Sequence, residues 1–238
     1  MIDFSNQKFR CHQIGALLTN QQGKKDTTTL EEISETAKEE LVKIYVATVY
    51  KRDKEITNKY IEKGLAVEED SITLLSRIHH KPYFKNTERF ENDFITGEPD
   101  VIDPLFDTKS CWDMHTFYKH KAGKLKKDYF WQMQGYADLL VKDKGTVAFC
   151  LIDTPDALIQ QEKKNLFYKM NYATMENPDY LAACAHIEKE ATFGDVPMEE
   201  RLHEVVVKRD PAAIGMFYKR VPLLREWLNE FANQKVLV

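Results

Sequence analysis

The stretch GEPDVIDPLFDTKS, residues 97–110, places the tightest limit on what this chain can become. Acidic residues alternate with apolar ones, and Asp103-Pro104 is a good turn dipeptide. The pattern predicts a strand over Pro99–Ile102, a turn, and a second strand over Leu105–Ser110. Side chains two apart on a strand share a face, so Asp107 and Lys109 project together. Asp100, across the tight turn, lies close enough to join them. Three charged groups converging at a sheet need compensation. A hard divalent cation supplies it, because Mg²⁺ accepts carboxylate oxygens and keeps several waters. The same pattern also suits a surface hairpin with solvated charges, or a structural Asp–Lys pair.

At 238 residues the chain has enough material for one sizeable domain, and it carries no internal repeat or Pro-, Gly- or Ser-rich linker. A net charge of -4 gives no whole-protein attraction to nucleic acid or to an anionic membrane, so either partner needs a local basic patch. No apolar run approaches membrane-spanning length, and MIDFSNQKFR does not read as a signal peptide. Cys11, Cys111, Cys150 and Cys184 are scattered without paired spacing, which argues against a zinc knuckle or a disulfide framework and for a reducing cytoplasm.

Thr29-Leu30-Glu31-Glu32 has the capping-box pattern and is expected to open a helix with the apolar stripe Ile33, Ala37, Leu41, Ile44 and Val49. A second helix is expected over about Lys54 to Arg77. Further strands are expected at Phe90–Ile95, Thr146–Ile152 and His203–Arg209. A helix over Tyr129–Val141 would take Asp128 as N-cap, and Thr154-Pro155 would open the next with Pro at its first position. An amphipathic helix closes the chain near Phe231. Helices alternate with a few strands, so a single mixed α/β domain over residues 1–238 fits best.

In the second helix the stripe Ile61, Leu65, Ile72, Leu75 leaves one turn open, and Glu68 fills it. A carboxylate on an apolar face is costly without a cation or a hydrogen-bond partner. Gly64, one turn earlier, leaves room beside it. An Arg partner would satisfy Glu68, and so would a metal shared with Asp100 and Asp107. Gln132 and Tyr136 are four apart and share a helical face, a spacing that equally suits packing. Between them and the charged strand lie Lys119, Lys121, Lys124, Lys126 and Lys127. These form either a solvated loop or a surface that neutralises a phosphate backbone. His79, His80, His115 and His120 lack zinc-ligand spacing and read as surface or phosphate-contact residues.

G-x-x-x-E at Gly64–Glu68, GEPD ending in Asp100, DTK at Asp107–Lys109 and Q-x-x-x-Y at Gln132–Tyr136 occur in an order that resembles the PD-(D/E)XK nucleases. Within that superfamily the chain looks most like the phage lambda-type recombination exonucleases and the RecB-type nuclease domains. RLHEVVVKRDPAAIGMFYKRVPLLREWL is similar to the end of the lambda-type proteins, so the likeness runs from about Phe9 onward.

The resemblance implies a restriction-endonuclease-like core, a mixed central sheet flanked by helices. It also implies Mg²⁺- or Mn²⁺-dependent cleavage of phosphodiesters at duplex DNA ends, for recombination or repair. By position, Asp100, Asp107 and the Thr108 carbonyl would bind metal, and Glu68 would do so directly or through water. Lys109 would orient or deprotonate the attacking water, and Gln132 and Tyr136 would brace the site or touch the DNA backbone. Arg10 matches an Arg that meets DNA or its terminal phosphate. Asp107 stands where many members carry Glu. Some relatives hold an iron–sulfur cluster, but Cys150 and Cys184 are too far apart for that spacing, so none is expected. The family also implies a homo-oligomeric ring or a single-strand annealing partner. An endonuclease, a non-catalytic DNA- or protein-binding module and an RNA-directed nuclease are the competing readings.

Overall fold

The computed structural model describes residues 2–52, 58–171 and 174–236. In chain order the elements are β1 (Phe9–Arg10), α1 (Ile14–Leu17), α2 (Glu35–Tyr50), α3 (Lys59–Ala66), α4 (Glu68–His79), β2 (Phe90–Glu91) and β3 (Ile95–Gly97). Then follow β4 (Phe106–Cys111), α5 (Met114–Ala122), α6 (Lys127–Leu139), β5 (Lys144–Leu151), α7 (Asp156–Lys169), α8 (Pro178–Ala191), β6 (Leu202–Lys208) and α9 (Pro211–Val236). The expected mixed α/β architecture is present, with its strands in two three-stranded sheets, β1-β3-β2 and β4-β5-β6. Both are mixed: β4 runs parallel to β5 and β6 antiparallel to it, while β1 runs parallel to β3 and β2 antiparallel.

The β4-β5-β6 sheet is buried on two faces, and strand alternation decides which residues face which layer. Phe106, Ala148 and Cys150 pack with Ile72 and Leu75 of α4 on one side. Cys111, Val147, Phe149 and Leu151 join the larger core on the other, with Met133, Tyr136 and Ala137 of α6 and Phe217, Val221 and Leu224 of α9. A hydrogen bond between Ser71 and Ser110 hydroxyls, 2.9 Å long, ties α4 to β4. Asp107 and Lys109 therefore face α6, as their spacing predicts, and Thr108 faces the α4 side.

Several expectations need correction. Glu32 does not close a capping box: it binds Lys24 and Thr28 instead. The chain makes one 3₁₀ turn at Leu30–Glu32, and α2 starts later, with Ser34 accepting from the Ala37 N–H. Ala37, Leu41 and Ile44 are buried as expected. The second helix is two helices, because Val67 leaves the helical region at φ -114° and ψ 18°. Its expected start at Lys54 lies outside the described residues. Ile61 and Leu65 are exposed, at 42% and 71%, and α3 buries Lys63 instead. Pro99–Ile102 is not a strand: only Val101 bridges to Phe106. The expected strand Phe90–Ile95 divides around a turn in which Asn92 accepts from the Phe94 and Ile95 N–H groups. Lys126, not Asp128, occupies the N-cap of α6, and Pro155 precedes α7 rather than opening it.

The small sheet reaches the large one through a close approach. A Cβ added at Gly97 would lie 2.6 Å from Tyr136 Cε1 and 2.7 Å from Cys11 Sγ. Only glycine lets β3 pass this near α6. Gly97→Ala is expected to destabilise the fold by about 1–3 kcal/mol through overpacking. Chemical denaturation would measure the loss, and an unchanged midpoint would contradict the close packing.

Candidate active site

Four charged side chains gather at the free edge of β4 by three routes: Asp107 and Lys109 stand on the strand itself, Asp100 on the segment before it and Glu68 on α4. β4 is the outer strand of its sheet, so only the Val101 bridge covers its other edge among the described residues. Asp100 turns back onto the strand. Its Oδ2 accepts from the Thr108 N–H at 2.6 Å and from the Thr108 hydroxyl at 2.7 Å. Asn86 holds the same segment in place, donating its N–H to the Asp100 carbonyl at 2.7 Å and its side-chain amide to Pro99 O at 2.9 Å. Glu68 enters from the other layer, in the first turn of α4, where a carboxylate complements the positive end of the helix. The break at Val67 sets its position, not the stripe that pointed to it. An added Cβ at Gly64 would meet nothing within 4 Å, consistent with open space there.

Asp107 is the most buried of these groups, at 3% exposure. Lys109 Nζ lies 2.7 Å from its Oδ2 as an ion pair, and that buried oxygen has no other partner among the described residues. Gln132 reaches the other oxygen only at 3.4 Å and donates at 2.9 Å to Tyr136 Oη, so the expected shared face of α6 is real. Burial lifts the Asp107 carboxyl to about 6. Lys109 opposes the rise, while Asp100 and Glu68 add to it. Glu68 is raised too, first by burial and then by Asp100, against the pull of Lys85 at 3.3 Å. Burial alone would pull the Lys109 ammonium down, but Asp107 and Asp100 outweigh it and leave it above ordinary lysine. Tyr129 of α6 faces that ammonium, 5.4 Å from ring centre to Nζ. Burial raises the Tyr136 phenol well above its usual range.

A cavity of about 350 Å³ adjoins these acids, bordered by Glu68, Asp100 and Tyr136 and by the cations Arg10, Lys85 and Arg89. Arg10 is thereby brought to the site. Lys119, Lys121, Lys124, Lys126 and Lys127 are all exposed. Lys126 approaches the same Tyr129 ring as Lys109, at 5.6 Å, so the basic surface begins beside the acids. The histidines are not uniformly superficial. His120 stacks on Phe149 at 4.1 Å, and His79 binds Tyr83 and Glu204. His80 and His115 are exposed. Sequence reasoning missed Lys85, Asn86 and Tyr129. KPYFKNTERF has no periodicity to place the first two, and Tyr129 was read only as a helix boundary.

Among the described residues no group of three or more His, Cys, Asp and Glu side chains forms a ready metal cage. The acids feel one another electrostatically, and two ammonium groups pair with two of them, Lys85 with Glu68 and Lys109 with Asp107. A hard cation still suits the donor set. Mg²⁺ needs only one or two carboxylates besides water, and beyond the Lys109 ammonium the buried Asp107 Oδ2 has no other partner among the described residues.

No protein-family model matches this sequence, and no curated protein matches it. Solved structures do. A phage-related exonuclease from Haemophilus somnus 129PT superposes with a TM-score of 0.75 over 97% of each chain, at 24% identity. The alkaline exonuclease LHK-Exo from Laribacter hongkongensis gives 0.62 at 12% identity, over 98% of this chain and 95% of that one. The same enzyme in complex with dAMP gives 0.60. The chain thus has the fold of these exonucleases, in keeping with the resemblance read from its motifs.

The raised Asp107 pKa has a direct consequence for stability. Folded Asp107 holds its proton more tightly than an ordinary carboxyl of 3.8. Its contribution is therefore fully present below about pH 4 and is lost as pH rises through about 6. Above that pH the metal-free protein bears a cost on the order of 3 kcal/mol. Asp107→Asn is expected to melt higher than wild type at pH 8 without metal, with the gap closing towards pH 4. Equal melting temperatures across that range would contradict the assignment.

Proposed function

We propose that this protein is a divalent-metal-dependent deoxyribonuclease that removes nucleotides from duplex DNA ends in recombination or repair, of phage type. One observation carries the reading: on an exonuclease-like fold, a buried carboxylate of Asp107 is paired with Lys109 at an open strand edge, with Asp100 and Glu68 close enough to raise its pKa. In this reading Asp100, Asp107 and the Thr108 carbonyl hold Mg²⁺ or Mn²⁺, and Glu68 holds it directly or through water. The bound cation would lower the pKa of a water and shield phosphate charge. Lys109, cationic beside its carboxylates, orients the attacking water and steadies the negative charge that builds on the phosphate. Tyr129 limits where that ammonium points. Gln132 and Tyr136 brace Asp107 from α6.

The remaining cations serve the DNA. Arg10 lies in the cavity beside the acids and suits a phosphate at the strand end. The exposed lysines from Lys119 to Lys127 suit the backbone, without regard to sequence. Reducing each lysine contact should therefore weaken binding evenly across sequences. In a salt titration of duplex binding, Lys124→Ala and Lys127→Ala are each expected to lower the slope of log affinity against log salt by about 1. Unchanged slopes would remove those lysines from the interface.

With Mg²⁺, purified protein is expected to digest linear duplex and to spare covalently closed circles. Cutting of circles at the same rate would establish an endonuclease instead, and cutting of neither would favour a non-catalytic module. Lys109→Ala is expected to lower the rate by about a hundredfold or more while leaving fold and DNA binding in place. Full activity in that variant would remove Lys109 from the chemistry.

A further inference from the structure

A protein that gathers Glu68, Asp100 and Asp107 at one strand edge must offset their repulsion before any metal arrives. Two ammonium groups do this, Lys109 on Asp107 at 2.7 Å and Lys85 on Glu68 at 3.3 Å. They are held very differently. Lys109 sits on a regular strand, faces the Tyr129 ring and is 25% exposed. Lys85 lies on an irregular segment, is 39% exposed, and makes this one ion pair among the described residues. Its backbone is nonetheless fixed, because the next residue, Asn86, bonds to the backbone of both Pro99 and Asp100. Only the side chain is free to leave.

We propose that Lys85 is a resident counter-ion of Glu68 that a divalent cation displaces on binding. The inference rests on the metal-dependent reading above and adds a role for a residue that reading does not use. A Lys–Glu pair whose lysine is solvent-exposed is weak, and an ion of twice the charge competes well for the same carboxylate. The lysine stem is long and flexible, and the cavity it borders already holds Arg10 and Arg89. Exchange therefore moves the ammonium from the acid towards the cavity. Cation binding then adds positive charge where a phosphate would arrive, instead of merely replacing one positive charge with another. Before exchange, Glu68 is kept from repelling Asp100 without a metal bound.

Calorimetry with Mn²⁺ in the absence of DNA tests this directly. Lys85→Met keeps most of the unbranched stem and removes its charge, and Lys85→Gln is a second variant that guards against a packing defect in the first. Both are expected to bind Mn²⁺ about two- to fivefold more tightly than wild type. The gain should vanish when either is combined with Glu68→Gln, because the effect runs through that carboxylate. A gain that persists in the Glu68→Gln background would reflect only the general field of a nearby charge and would overturn the exchange. Wild-type binding with no gain in the Lys85 variants would overturn this inference alone. Failure of wild type to bind Mn²⁺ would overturn it together with the metal-dependent reading.

Discussion

One oxygen of Asp100 accepts two hydrogen bonds from Thr108, and the geometry of the candidate site follows from that junction. Pro99–Ile102 forms no ladder of its own, and beside the single Val101–Phe106 bridge this junction is what fixes the Asp100 side chain to the sheet. With it, a carboxylate from outside the sheet is fastened to the middle of β4. Thr108 points one way and its neighbours Asp107 and Lys109 the other, because side chains alternate along a strand. Acids from the two layers can therefore meet only by coming round the free edge of the strand. That edge is open because β4 ends its sheet.

This arrangement is electrostatically tense in the protein alone. Burial lifts both Asp107 and Glu68, and each carboxylate adds to the burden of the next. Lys109 relieves Asp107 incompletely, since burial still holds that carboxyl above its ordinary range with the ammonium 2.7 Å away. Ordinary folding would favour burying an apolar residue here. A site that keeps several unsettled charges at one place is better explained by a ligand that settles them than by structural need.

The acids and the lysine of DTK were legible in the sequence because strand alternation is strict and the Asp-Pro turn is a strong punctuation mark. Gln132 and Tyr136 were legible for the same kind of reason, the helical spacing of four. Glu68 was found by an argument that fails in detail. The stripe that pointed to it assumed one continuous helix, whereas Ile61 and Leu65 face solvent and the chain breaks at Val67. No proline or glycine marks that break, so local pattern could not reveal it. Lys85 and Asn86 were invisible because their roles come from contacts with Glu68 and Asp100, distant in sequence and made by an aperiodic segment. The early capping box misled because Glu32 found better partners in Lys24 and Thr28.

Mn²⁺ scatters anomalously, so a crystal of the protein grown with it locates the ion without reference to activity. An anomalous peak is expected at the edge of β4, in direct contact with carboxylate oxygens of both Asp100 and Asp107. A crystal saturated with Mn²⁺ that shows no density there, with Asp107 still facing only Lys109, would contradict it.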